Sequence, residues 1–331
     1  MLELVFLGTS SGVPTKERNV SAVALKLPEP KSWVLVDCGE GTQHQILHTR
    51  LSLQTLKAIF ITHIHGDHCY GLPGLIASAG MSGRTEPLYI IAPKGVQLMY
   101  EAIRGNTQLH TPYDVIFIET EAIGTYSLGD TEVTAHKLSH RVPSHGFCFT
   151  TTTTDNSLQI DKLDRDGIER GPVWGKLQQG LDVTLPDGTS LNASDYVETT
   201  QSTQRIVIAG DNDQPALLSS VEGDIDVLVH ESTYTEALLE KAGPGPQHSS
   251  AKRVATFAAE YDIPNLVLTH FSARFQATSS RGDSIDDVKV EAESVYDGNL
   301  YLANDFDTFS LTSAGKLVTN KPAFISPAST D

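Results

Sequence analysis

Four side chains of types that commonly bind metal ions lie within a run of six residues that begins at His63. The run has the pattern H-x-H-x-D-H and contains His63, His65, Asp67 and His68. Imidazole nitrogens and carboxylate oxygens are ligands that Zn²⁺ takes in proteins when cysteine is absent. Because residues i and i+2 of an extended segment point the same way, His63 and His65 can hold one ion. A following turn can then direct Asp67 and His68 toward a second ion. The alternative is a histidine-rich surface loop that binds nothing.

Predicted strands position these ligands and three more of the same kind. The run follows residues 56–61, whose short, apolar and partly β-branched sequence predicts a buried strand. His140, Asp211 and His270 each follow another predicted strand. A lone histidine at a strand end, such as His140, is most often structural. It becomes a candidate ligand here because the first motif needs partners.

Seven such side chains suit two neighbouring ions that share one carboxylate. The most economical division places His63, His65 and His140 on the first ion, Asp67, His68 and His270 on the second, and Asp211 between them. Two ions about 3.5–4 Å apart would lower the pKa of a shared water and stabilise an in-line displacement at phosphorus. Asp67 could orient that water and accept its proton. The pattern therefore predicts a hydrolytic metal centre.

Composition restricts the class of protein. The chain has 331 residues, of which 39% are hydrophobic and 20% charged, which is ordinary for a globular protein. No apolar run is long enough for a transmembrane helix, and residues 2–7 are typical of a first strand rather than a signal peptide. The three scattered cysteines predict reduced thiols and a cytoplasmic protein.

The net charge of −17 argues against a simple basic surface for nucleic acids. It does not exclude a nucleic acid substrate, because bound divalent cations and a few placed Lys or Arg side chains can reverse the local sign.

Residues 155–200 differ from their surroundings. They are polar, rich in Gly, Asp and Gln, and show little alternation, which predicts an inserted arm. Trp174, which stands near glycines, is expected to be exposed and to form a contact surface; the alternative is a mobile loop without function. We expect the main domain to span residues 1–315 and the Pro/Ser/Thr-rich residues 316–331 to be disordered.

Two further features have two interpretations each. Asp37, at the end of a predicted strand, could form a turn or could hold a ligand histidine through its carboxylate. Lys16 and Arg18 could contact phosphates or could simply be solvated, and spacing alone favours solvation.

Taken together, these motifs resemble those of the metallo-β-lactamase superfamily and, within it, the short-form ribonuclease Z family, which trims the 3′ trailer from precursor tRNA. The resemblance extends to about residue 315. Besides the ligands it rests on L-G-T-S-S-G at 7–12, P-T-K-E-R-N at 14–19, D-C-G-E-G-T-Q at 37–43, H-E-S-T at 230–233 and H-S-S at 248–250. It implies an α/β protein with a four-layer αββα sandwich and an inserted flexible arm.

The resemblance also implies roles for individual residues. It implies two zinc ions per subunit on the seven ligands, with Asp67 as the proton acceptor. His248, held by Glu231 or His230, would donate a proton to the leaving 3′-oxygen. Without the resemblance, His230 would be interpreted as a packed histidine at a strand end. Substrate contacts would come from Lys16, Arg18 and Asn19 at the tRNA 3′ end, and from Trp174 and Lys176 in the arm.

The family's arm grips the elbow of tRNA, and the family is commonly a homodimer. This chain departs from the expected charge, because residues 155–190 contain four basic and seven acidic side chains. The resemblance therefore predicts a precursor-tRNA nuclease whose arm binds through a few placed side chains. The alternatives are a small-molecule hydrolase of the same superfamily, of arylsulfatase or lactonase type, and an inactive nucleic-acid-binding homologue. A small-molecule enzyme needs neither the arm nor the 14–19 loop, and an inactive homologue need not keep every ligand.

Overall fold

Two β-sheets pack face to face and carry helices on their outer faces. The structure, a computed structural model, describes residues 2–275 and 283–320. The strands in these residues are β1 (Leu2–Gly8), β2 (Ser10–Ser11), β3 (Ala22–Lys26), β4 (Trp33–Val36), β5 (Leu56–Phe60), β6 (Leu88–Ala92), β7 (Val115–Glu119), β8 (Thr125–Leu128), β9 (Thr131–Leu138), β10 (Ser144–Leu158), β11 (Val183–Thr184), β12 (Ser190–Leu191), β13 (Val197–Ala209), β14 (Val227–Glu231), β15 (Asn265–Thr269), β16 (Phe271–Ser272), β17 (Asn299–Leu302), β18 (Thr308–Leu311) and β19 (Leu317–Thr319).

The helices pack on the sheets or belong to the inserted segment. They are α1 (Thr42–Leu47), α2 (Gly66–Cys69), α3 (Leu72–Met81), α4 (Lys94–Thr107), α5 (Ile160–Arg165), α6 (Pro172–Gln178), α7 (Ala193–Tyr196), α8 (Glu236–Ala242), α9 (Ala251–Glu260) and α10 (Ile285–Glu293), with 3₁₀ turns at Thr120–Ala122 and Pro215–Ser220. None of the helices in the described ranges is both long and apolar enough to cross a membrane.

The strand order explains why the ligand-bearing loops meet. The first sheet runs β19-β18-β1-β3-β4-β5-β6-β7, and the second runs β17-β15-β14-β13-β10-β9-β8. Strands β4 to β7 are parallel, as are β13, β14, β15 and β17. Parallel strands are buried on both faces, which accounts for the continuous apolar runs in the sequence. Their carboxyl ends lie at one edge of each sheet, where six of the seven ligands follow, whereas His140 follows β9, which pairs antiparallel with β8.

Three apolar clusters separate four layers. The middle cluster joins the two sheets, and in it the rings of Phe60 on β5 and Phe147 on β10 lie 5.1 Å apart. A second cluster packs α3 and α4 on the first sheet, and a third packs α9 and α10 on the second. The predicted αββα sandwich is confirmed.

Residues 151–204 form a separate compact unit, which begins within β10 and ends within β13. This unit contains α5 to α7 and the β11–β12 hairpin, and it has its own small core. The buried members of that core are Leu163, Ile168, Trp174, Leu177, Val183, Leu191, Ala193 and Tyr196. A polar sequence can form such a core because the apolar residues, although scattered, converge from three short helices and a hairpin.

The predicted disorder from residue 316 is wrong for the first part of that segment. Strand β19 pairs antiparallel with β18, and Asn320 donates hydrogen bonds to Glu3 and Ser310. Leu317 is buried, so it adds to the core that lies between the sheets. Residues 321–331 lie outside the described residues.

Candidate metal centre

The first group of ligands surrounds a point at the end of β5. His63, His65, His140 and Asp211 each offer one atom, and these four atoms lie within 4.8 Å of one another. Nδ1 of His65 is 3.1 Å from Nε2 of His63 and 3.1 Å from Nε2 of His140. Oδ2 of Asp211 lies 3.6 Å from the nitrogen of His63 and 3.7 Å from that of His140. Four converging donors of this kind fit a tetrahedral metal ion.

The second group lies on the other side of Asp211. Oδ2 of Asp67 is 3.5 Å from Nε2 of His68 and 3.4 Å from Nε2 of His270. The two imidazole nitrogens are 3.2 Å apart. Oδ1 of Asp211 completes this group, at 3.5 Å from His68 and 3.4 Å from His270.

Asp211 therefore directs one carboxylate oxygen at each group. Its Oδ1 atom is buried and makes no hydrogen bond to any residue in the described ranges. A buried carboxylate oxygen without a donor is costly, and a cation between it and the two nitrogens would satisfy it. The donor set thus fits metal ions on both sides of Asp211, and it brings together all seven ligands that the sequence predicted.

Glycine at position 210 lets the two sheets approach at this point. A Cβ atom there would lie 2.6 Å from Cβ of Thr62, the residue before His63. The backbone of His145 joins the two strand ends, since its N–H donates to the Thr62 carbonyl and its carbonyl accepts from Gly210 N–H. The close contact places Asp211, which follows Gly210, opposite the histidine run.

Each buried ligand histidine is held through its other ring nitrogen. Such outer contacts fix the ring orientation and the tautomer. The partners are Thr62 Oγ1 for His63 at 3.0 Å, Asp37 Oδ2 for His68 at 2.7 Å, the Gln247 carbonyl for His140 at 2.8 Å, and Thr233 Oγ1 for His270 at 3.0 Å. Asp37 also has a φ of 61°, so it both forms a turn and holds a histidine.

Burial and neighbouring charges set the protonation of these groups. Burial lowers the pKa of His63 well below its usual value and also lowers the pKa of His65 and of His140. These rings are therefore neutral, as metal binding requires. Burial raises the pKa of Asp211, but the facing imidazoles, His270 and His68 above all, outweigh it and hold that pKa well below its usual range.

His248 lies beside the two groups and is held by Glu231. Its Nδ1 atom is 3.3 Å from Glu231 Oε1, and its ring centroid is 5.1 Å from that of His140. Glu231 is anchored by donors from Ser249 N–H at 2.7 Å and Thr233 Oγ1 at 2.7 Å. Burial alone would lower the pKa of His248, but Glu231 and Asp211 outweigh it and raise that pKa to about 9. With that pKa the imidazole is mostly protonated at neutral pH.

His230 has a different role from the one that the sequence analysis gave it. Its ring is fully buried, Nδ1 donates to the Glu231 carbonyl at 2.8 Å, and Nε2 lies 3.1 Å from Nδ2 of Asn212. Both ring nitrogens are thus used inside the protein. Glu231 rather than His230 therefore holds His248, and His230 instead orients Asn212, a residue that sequence reasoning missed although it adjoins Asp211.

The N-terminal loop (residues 8–19) carries the three predicted contacts for the RNA 3′ end. Lys16 is exposed, but Arg18 is engaged within the protein: its Nη1 atom donates to Thr9 Oγ1 and to the Ala303 carbonyl, both at 2.7 Å. Asn19 donates from Nδ2 to the Glu40 carbonyl at 2.9 Å. Arg18 and Asn19 therefore brace the loop in this structure, and the substrate contacts of Lys16, Arg18 and Asn19 remain a prediction.

The prediction of an exposed Trp174 is also wrong. Only 9% of this side chain is accessible, because it packs in the core of the inserted unit. Its Nε1 atom donates to the Ile168 carbonyl at 3.1 Å, and the guanidinium of Arg170 lies over its ring. Lys176, on the same helix, is exposed.

Known proteins resemble the chain over different lengths. A family model described as "Anti-Pycsar protein Apyc1" matches residues 2–166. A crystal structure of human tRNase Z, short form, has 25% sequence identity and a TM-score of 0.60, covering 94% of this chain and 99% of that one. A metallo-β-lactamase fold protein from Bacillus subtilis has a TM-score of 0.62 at 16% identity, which supports the fold.

Two bacterial proteins are similar over nearly the whole sequence. A protein named Ribonuclease Z from Marinobacter nauticus is 50% identical, covering 94% of this chain and 96% of the relative. Another with that name, from Pseudomonas putida, is 49% identical, covering 96% of this chain and 99% of the relative. Because identity near one half extends far beyond the ligand motifs, the chain belongs to the ribonuclease Z family.

Proposed function

We propose that the chain is a two-zinc endoribonuclease that cuts precursor tRNA after the discriminator nucleotide. The products would be tRNA with a 3′-hydroxyl and a trailer with a 5′-phosphate. The observation that supports this most is the Asp211 carboxylate, with one oxygen facing each group of ligands. Such a pair of sites suits hydrolysis of a phosphodiester. Dependence on metal ions follows from membership of the family and from the donor set. The choice of zinc and the presence of two ions are proposed.

The protein side chains would divide the proton transfers between them. When bound, the two ions would lower the pKa of a shared water and neutralise charge at phosphorus. Asp67 would orient the attacking water and accept its proton. His248, protonated by virtue of Glu231, would donate a proton to the 3′-oxygen as the P–O3′ bond breaks. Glu231 is a positioning residue in this scheme, and so is Asp37, which holds His68.

Substrate recognition would use exposed cations outside the metal centre. Lys16 on the N-terminal loop is proposed to contact the RNA 3′ end, and Lys176 on α6 to contact the body of tRNA. We propose that the inserted unit serves as the arm that grips tRNA. The arm is not basic overall, so binding should depend strongly on salt and on these few side chains. A small-molecule hydrolase would need neither element.

We also propose that the protein acts in the cytoplasm as a homodimer. The three cysteines are unpaired and buried, in keeping with a reducing compartment. The resemblance to a commonly dimeric family supports the dimer, and light scattering coupled to size-exclusion chromatography would test it.

One experiment tests the proposed function. Purified protein is incubated with a tRNA transcript that carries a 3′ extension, and both ends at the cut are mapped. We expect one cut after the discriminator nucleotide, with a 3′-hydroxyl upstream and a 5′-phosphate downstream, lost with a chelator and restored by Zn²⁺. A cut at other positions, or one that resists chelation, would contradict the proposal.

A further inference from the structure

The N-terminal loop contacts metal-ligand loops from both halves of the chain. The N–H of Gly12 donates to Oδ2 of Asp67 at 2.7 Å. On the other side, the N–H of Phe271, which follows His270, donates to the Thr9 carbonyl at 2.9 Å. Strand β2 in this loop also pairs with β16, which begins at Phe271. The position of this one loop therefore affects the surroundings of Asp67 and of His270 together.

The Asp305 carboxylate fixes both ends of that loop. Its Oδ1 atom accepts from Thr9 Oγ1 at 2.7 Å, and its Oδ2 atom accepts from Asn19 N–H at 2.7 Å. Oδ2 also accepts from Nε2 of Gln45 at 2.9 Å. Hydrogen bonds to an ionised acceptor are stronger than those between neutral groups, so one carboxylate can hold two points that are ten residues apart.

Arg18 strengthens the same anchor from the inside of the loop. Its guanidinium donates to the Thr9 hydroxyl that donates to Asp305, and it lies 4.9 Å from the centroid of the Phe271 ring. The loop is thereby tied to the residue after His270, while Lys16 stays exposed at the tip.

We infer that Asp305 is a positioning residue for the Asp67 carboxylate. By holding Thr9 and Asn19, it keeps the Gly12 N–H directed at Asp67 Oδ2, which limits the rotation of the carboxylate while leaving Oδ1 of Asp67 available for the attacking water. This inference rests on the proposed function for the role of Asp67. It adds a residue that is remote in sequence and outside every motif described above.

The test compares Asp305→Ala and Asp305→Asn with the wild-type protein on two substrates, the 3′-extended tRNA and bis(p-nitrophenyl) phosphate. Asp297→Ala, which removes an exposed carboxylate, is the matched control. Because a misplacement near 1 Å can cost about 100-fold in rate, we expect Asp305→Ala to lower kcat by about 10- to 100-fold on both substrates. KM for the small diester and the bound metal should stay unchanged, and Asp305→Asn should restore part of kcat.

Gly12→Ala provides a second variant if Asp305→Ala does not fold. Gly12 has a φ of +71°, which strains an alanine, and nothing lies within 4 Å of the added Cβ, so the change redirects the N–H without a clash. Gly12→Ala should lower kcat on both substrates as well.

Unchanged kcat in folded, metal-loaded variants would overturn the inference, and so would an increase confined to KM for tRNA. If wild-type protein cleaves only the small diester, the proposed function fails while the small diester still tests Asp305.

Discussion

The Oδ2 atom of Asp37 lies 2.7 Å from the Nδ1 atom of His68, a metal-ligand candidate 31 positions later in the chain. The Oδ1 atom of Asp37 accepts from the Thr62 N–H at 2.8 Å, so the same carboxylate holds the start of the histidine run. Outer contacts of this kind keep a ligand ring in its binding orientation.

Replacing Asp37 by Asn should weaken metal binding. Asn tolerates the positive φ at this position, so the variant changes the charge and one acceptor with little backbone strain. We expect metal affinity to fall by about 10- to 100-fold, measured by competition with a chromogenic chelator. Asp114→Ala, which removes an exposed carboxylate, is the control. Affinity equal to that of the wild-type protein would show that His68 needs no such support.

Asp67→Ala should remove most turnover on precursor tRNA while tRNA binding remains measurable. The variant loses both the proposed proton acceptor and a donor to the second ion, and general-base catalysis alone contributes about 10²–10⁴-fold. Single-turnover cleavage and a gel-shift assay measure the two effects separately, with Asp130→Ala as an exposed control. Unchanged turnover would refute the role given to Asp67.

Removing the core of the inserted unit should affect tRNA but not a small substrate. The N–H of Gln159 donates to the Tyr196 carbonyl, and Thr153 pairs with Ser202. A short Gly/Ser turn that replaces residues 159–196 therefore retains the Thr153–Ser202 pair. We expect KM for precursor tRNA to rise and hydrolysis of bis(p-nitrophenyl) phosphate to continue at the wild-type rate.

A point variant makes the same comparison without a deletion. Lys176→Glu should raise KM for tRNA, whereas Lys289→Glu, an exposed lysine on α10, should not. If the replacement of residues 159–196 reduced hydrolysis of tRNA and of the small diester equally, the inserted unit would be structural rather than a tRNA-binding arm.

Asp305 should make stability depend on pH. Burial is the largest influence and raises the pKa of this carboxyl from 3.8 to about 6, although hydrogen bonds from Asn19 and Thr9 oppose it. Because the folded state binds the proton more tightly than the unfolded state, protonation of Asp305 adds to the free energy of unfolding. This contribution is complete below about pH 3.8 and is lost as the pH rises through about 6.

The measurement is the difference in Tm between the wild-type protein and Asp305→Asn. Both proteins contain the same histidine ligands, so the titration of those histidines cancels in the difference. We expect the wild-type advantage in Tm to shrink between about pH 5 and pH 7. An advantage that stayed constant or grew with pH would contradict the assignment.

Six of the seven ligands could be predicted from sequence because they follow apolar runs that are typical of buried parallel strands. In a sheet of that kind the carboxyl ends of the strands share an edge, so Asp211 and His270 could be assigned to the same place as the His63 run. His140 follows β9, which pairs antiparallel with β8, and it could be proposed only because the first motif needed partners. The four-layer fold followed from the resemblance, and the packing of the helices confirms it.

Other features depend on contacts between distant segments, which no local pattern records. The arginine of the 14–19 motif looks like a phosphate ligand, but Ala303 and Asn304 occupy its donors. Trp174 lies in a polar stretch, yet it is buried by apolar residues that are scattered over about forty positions. Similarly, β19 forms a strand because it pairs antiparallel with β18, a contact that its own short sequence does not reveal.

The place of β1 in its sheet has a consequence for synthesis on the ribosome. β1 lies between β3 and β18, and β18 ends at Leu311. Both edges of β1 can therefore be paired only after translation has passed β18. A nascent chain that has not yet exposed β18 leaves one edge of β1 unpaired, and an unpaired strand edge is open to pairing with other chains.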